Sequence, residues 1–69
     1  MTKAEYEAKY QEALSHLRFQ GYFVDELEQS GGSRRVRITG IVYDDYGVLS
    51  LAWGKEKASE IIEESRAGE

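Results

Sequence analysis

Cysteine and proline are both absent from this chain, and histidine, methionine and tryptophan each occur once. Without cysteine there is no disulfide framework and no thiolate metal site, so the fold must rest on its core. The single His16 cannot build a histidine-rich metal site. No apolar run approaches the roughly 20 residues that span a bilayer. The opening stretch MTKAEYEAKY is polar and develops no apolar targeting segment. A soluble chain without membrane association, cytoplasmic in a bacterial host cell, is the expectation. Size is scarce as well. Residues 1–69 make one small globular domain, and a chain this short buries only about 60% of the surface it exposes when unfolded. A deep catalytic cleft is not expected.

What the chain does have is charge, unevenly placed. Thirteen acidic side chains stand against nine basic ones, for a net charge of −4. That balance disfavours nucleic-acid binding through a uniformly basic face. Residues 22–32 carry three acids and no base, residues 33–37 carry three arginines and no acid, and residues 54–69 carry five acids against three bases.

The periodicity predicts two helices around three strands. Thr2 followed by Glu5 has capping-box spacing, in which hydroxyl and carboxylate satisfy the first free backbone N–H groups of a helix. Tyr6, Tyr10, Ala13, Leu14 and Leu17 then recur at helical steps, and Gly21 supplies a stop. These place a first helix over residues 3–20. YFVDELEQ, RRVRITGIVY and VLSLAW read as strands, with turns at SGGS and YDDYG. Short connections require antiparallel neighbours. On this reading Val36, Ile38 and Val42 share the covered face of the middle strand, and Leu49, Leu51 and Trp53 that of the third. Ile41 and Tyr43 fall on the open face. Ala58, Ile61, Ile62 and Ser65 mark a last helix over residues 55–66. The expected fold is α+β in the order α-β-β-β-α, a three-stranded antiparallel meander with two helices on one face.

Candidate chemistry is sparse. Asp44 and Asp45 sit where a turn is expected, and aspartates favour turns through their own backbone hydrogen bonds. No serine or threonine has the context of a nucleophile. No catalytic residue, cofactor or metal is expected, and the chain reads as a non-enzyme. The last helix says more. At 100° per residue, Glu56, Glu60, Glu63 and Glu64 fall opposite Ala58, Ile61 and Ile62. Each like-charge pair at these spacings costs about 0.2–0.5 kcal/mol, so the stripe works against helix stability. With Asp25, Glu26, Glu28, Asp44 and Asp45 it forms the candidate partner-binding surface, facing something basic. Arg34, Arg35 and Arg37 either hold phosphates or pair across the sheet with Asp25, Glu26 or Glu28. Pairing is the favoured reading.

Two resemblances bear on function. The order α-β-β-β-α over nearly the whole chain is similar to the double-stranded RNA-binding domain, which binds RNA through a lysine-rich start to its last helix. Here GKEKAS keeps Lys55 and Lys57 with Glu56 between them, and SGGS lacks the family's Pro-His element. In character, a compact, acidic, cysteine-free α/β chain with the helix EKASEIIEES resembles small phage-encoded anti-CRISPR proteins. That likeness implies a non-enzymatic inhibitor that mimics DNA on a positively charged surface of a bacterial nucleic-acid-binding complex such as a CRISPR effector. Its expected state is a monomer that does not itself bind nucleic acid. A generic protein-interaction module is the plainer alternative.

Overall fold

Thr2 and Glu5 close the reciprocal cap that their spacing predicts. The Glu5 backbone N–H donates to Thr2 Oγ1 at 3.1 Å, and the Thr2 N–H donates to Glu5 Oε1 at 3.3 Å. The computed structural model describes residues 2–27 and 34–67. The helix launched by the cap, α1, spans Lys3–Phe19. It ends in a Schellman arrangement, with the Tyr22 N–H donating to the Leu17 carbonyl and the Gly21 N–H to that of Arg18. Tyr10, Ala13, Leu14 and Leu17 are fully buried along one face.

Three short strands follow, β1 (Val24–Glu26), β2 (Val36–Ile38) and β3 (Ile41–Tyr43), in an antiparallel sheet of order β1-β2-β3. The fold is α+β, a helix, three antiparallel strands and then helix, with the helices on one face of the sheet. The source of the third strand differs from the sequence expectation. The stretch 34–43 is not one strand but two, because Thr39 (φ 50°) and Gly40 (φ 85°) both adopt positive φ. Two such central residues make a tight two-residue hairpin of the kind that matches strand twist. The reversal also resets the alternation. Ile38 pairs with Ile41 and Arg37 with Val42, so Val42 lies on the open face beside Arg37, while Tyr43 faces the core.

The stretch 48–53 is helical. Asp44 is the N-cap of α2 (Asp45–Trp53), its Oδ1 accepting from the Gly47 N–H at 2.8 Å. The aspartate pair therefore starts a helix instead of reversing a hairpin. Aspartate serves both purposes by the same chemistry, a short carboxylate that reaches a backbone N–H a few residues ahead. Gly47 sits against Tyr43, whose ring would lie 2.8 Å from an added Cβ, so the helix can follow the strand only if that position stays bare. In helical form Val48 and Leu49 are buried and Leu51, Ala52 and Trp53 half-buried. Gly54 breaks the chain for a single residue, and α3 (Lys55–Ala67) begins at once. Its Ala58 and Ile61 complete a core shared with α1, Val36 and Ile38 of β2, and α2.

Two substitutions test this account. Thr39 is β-branched at positive φ, a conformation such residues rarely adopt, and Asn-Gly is the preferred pair for this turn. Thr39→Asn is expected to raise unfolding free energy in urea by about 1 kcal/mol, and a loss of stability would contradict the turn. Asp44→Ala is expected to lower it by about 1 kcal/mol, with Asp44→Ser close to neutral.

Candidate functional site

The glutamates of the stripe project from α3 as their spacing predicts. Glu56, Glu60, Glu63 and Glu64 are exposed, on the side away from buried Ala58 and Ile61. Among the described residues, Glu56, Glu60 and Glu63 enter no ion pair with a basic side chain. Lys55 lies beside them, lining with Glu56, Ser59 and Glu60 a shallow open depression. Lys57 turns to the other side, where it joins Lys9, Glu12 and the half-buried Trp53 around an open groove of about 400 Å³. The stripe is the one dense patch of a single charge that a partner could meet on this helix.

The other acids do not join it. Asp25 and Glu26 lie on edge strand β1, whereas α3 packs on α2 and α1. Asp25 is on the open face, and Glu26 pairs with Arg18 of α1 at 3.7 Å. Asp44 is occupied in capping. Asp45 turns inward and accepts a hydrogen bond from the Tyr6 hydroxyl at 2.7 Å, tying α2's first turn to α1. Glu28 and the SGGS stretch lie outside the described residues. The acidic surface that the sequence distributes over several elements thus stands as separate parts, with α3 holding the largest.

The arginines also part company. Arg34 does not pair across the sheet. It crosses to α1, where Nη2 donates to Glu7 Oε2 at 2.5 Å and the guanidinium stacks 4.3 Å from the centroid of the Tyr10 ring. Glu7 and Tyr10 stand three apart on α1, a spacing that brings both under one incoming side chain. The sequence signal was present, but which cation would fill that position depends on where the chain enters β2. Arg35 and Arg37 remain exposed on the open sheet face, and neither they nor Asp25 forms an ion pair among the described residues. Lys55 and Lys57 sit on the helical side. The basic groups that a duplex-binding surface would have to gather are therefore divided between opposite sides of the sheet.

The polar cluster around Arg34 has a clear electrostatic character. Burial pushes the Tyr6 and Tyr10 phenols well above their ordinary range, and for Tyr6 the bond to Asp45 adds to the shift. Both phenols stay protonated at neutral pH. The hydrogen bond from Arg34 holds the Glu7 carboxyl below its ordinary value. Among the described residues, no group of three or more His, Asp or Glu side chains is placed to share a metal ion, and no helix is long and apolar enough to cross a membrane.

The lowered Glu7 value has a definite sign. Its ionised form is favoured in the folded state, so its contribution is complete above the unfolded pKa and is lost as pH falls through the lower folded one. Because the Glu7 side chain is 45% exposed, the contribution is small, under about 1 kcal/mol. Glu7→Gln is expected to shave that amount from stability at pH 7 and nothing at pH 2, read from urea melts at the two pH values. An equal loss at both would assign Glu7 a packing role. No protein-family model, curated protein or solved structure matches this chain.

Proposed function

We propose that this chain is a non-enzymatic interaction protein whose α3 stripe docks on a basic, nucleic-acid-handling surface of a partner and competes with the nucleic acid there. The observation that carries the reading is the exposure of Glu56, Glu60, Glu63 and Glu64 together on the side of α3 away from its core residues. A helix gains nothing in stability from such a row, since like charges one turn apart repel. Against lysines and arginines the same row becomes favourable and speeds encounter through complementary fields. The scale supports mimicry of a few phosphates. Glutamates one turn apart advance about 6 Å along the axis, whereas duplex DNA presents a charge every ~1.7 Å. The bacterial defence complexes implied by the likeness to anti-CRISPR proteins are the first partners to test.

The test begins with capture from bacterial lysate, or on purified CRISPR effector complexes, followed by competition with DNA. The double variant Glu60→Lys, Glu63→Lys leaves Ala58 and Ile61 in the core and sets a lysine four residues after Glu56, so its stability should stay within about 0.5 kcal/mol of the parent. Partner affinity should fall at least tenfold, about 1.4 kcal/mol, and the parent's affinity should drop with added salt. Retained affinity in the double variant would remove the stripe as the contact. DNA and this chain bound together to one partner without mutual weakening would remove competition.

A further inference from the structure

Beyond the α3 reading and independent of it, the sheet carries a second surface whose pattern is self-complementary. The β1–β2 ladder runs past its formal strands. The Thr39 N–H donates to the Phe23 carbonyl at 2.8 Å, and the Leu27 N–H to the Arg35 carbonyl at 3.2 Å. Residues 23–27 thus face 35–39, with Asp25 directly across from Arg37. Strand alternation puts Phe23, Asp25 and Leu27 of one strand and Arg35 and Arg37 of the other on the open face, since Val24, Val36 and Ile38 pack on the helices, and Thr39 stands across from Phe23 at the turn. Phe23 is 80% exposed there, and Val42 of β3, beside Arg37, is 45% exposed. Asp25 and Arg37 are opposite charges on neighbouring strands, exposed, with no ion pair to each other or to any other described residue.

We infer that this face pairs with the same face of a second copy of the chain, about a two-fold axis that runs along the strands between β1 and β2. Charge selects that axis. A two-fold along β2 would set Arg37 against the partner's Arg37. A two-fold across the strands through the Asp25–Arg37 row would set each charge against its own kind. Only the axis between the strands places Asp25 of each copy over the partner's Arg37, twice per dimer. It also lays Phe23 over the partner's Thr39 and Leu27 over the apolar stem of the partner's Arg35. The contact is isologous, so it closes at two copies. Both α3 stripes then lie on the outside, because the helices cover the other face of each sheet. The footprint is small. A ladder of five residues by two strands, β1 and β2 over the partner's β2 and β1, spans roughly 17 by 10 Å, well short of the ~800 Å² per partner of a standard stable interface. The dimer is a weak one, seen at high protein concentration.

The arrangement makes a demand that no intramolecular role for these residues can meet. Asp25→Arg alone and Arg37→Asp alone should each abolish concentration-dependent association in sedimentation velocity, because each sets like charges face to face. Mixed one to one, the two variants should associate again, the all-arginine face of one against the all-aspartate face of the other. Circular dichroism establishes that each variant is folded. Should either fail to fold, isotope-filtered NMR on a mixture of labelled and unlabelled parent chain reads the same contact through intermolecular Phe23–Thr39 cross-peaks. A parent chain that stays monomeric at its solubility limit overturns the proposal. So does a mixture that fails to associate while the parent does. A single-stranded oligonucleotide that binds a monomeric parent and is lost in Arg37→Asp would instead assign the face to nucleic acid.

Discussion

Burial of one stripe on α1 is the constraint on which the remaining structure depends. Tyr10, Ala13, Leu14 and Leu17 are fully buried, and Val36, Ile38, Val48, Leu49, Ala58 and Ile61 join them in a single cluster drawn from every other element except the two edge strands. Among the described residues this is the one core, and a chain of 69 residues is short for a second. Each large side chain in that cluster contributes about 1.5–3 kcal/mol by leaving water, against a total stability that is itself small for a domain of this size. The capping box and the Schellman stop decide where α1 begins and ends, and hence which residues can reach the cluster.

A polar seam is laid over this apolar one. Tyr6 and Tyr10, with ring centroids 6.5 Å apart, stand where α1 meets both the entry to β2 and the start of α2. Arg34 closes over Tyr10 and onto Glu7, and Asp45 receives the Tyr6 hydroxyl. Cation–π stacking contributes about 0.5–1 kcal/mol at such partly exposed sites. The seam therefore adds orientation more than stability. It orients the two segments whose course is least determined by apolar contacts, and it removes Arg34 and Asp45 from the surface charge that a partner could use.

The consequence for function is a molecule with two unlike sides. The helical side ends in the α3 glutamates, exposed beyond the core. The sheet side presents Arg35 and Arg37 beside Asp25, Phe23 and Val42. The charge row of α3 stays apart in space, whereas the sheet brings the acidic stretch of β1 and the basic stretch of β2 side by side. An acidic stripe is complementary to a basic surface, as proposed for α3, whereas a face with both signs in register is complementary to a copy of itself, as proposed for the sheet.

By itself the sequence determined both outer helices, the α1 stripe, the open-face position of Arg35 and Arg37 and the α3 glutamate row, all features that follow from local spacing on one element. It also determined the direction of the strands, since short connections allow only antiparallel neighbours. The origin of the third strand was settled elsewhere. VLSLAW satisfies strand alternation and a short buried helix equally well, as brief apolar runs do, and Asp44 can open a turn or cap a helix with the same hydrogen bond. Only the tertiary structure decided between them. Once Thr39 and Gly40 turn the chain, Ile41–Tyr43 fills the edge beside β2, and Val48 and Leu49 are left to cover α1, which a helix does by bringing both to one side. The partners of Arg34, Asp45 and Glu26 were likewise beyond the sequence, because a polar contact between elements depends on how those elements pack, and packing is fixed by the apolar cluster, not by the charges.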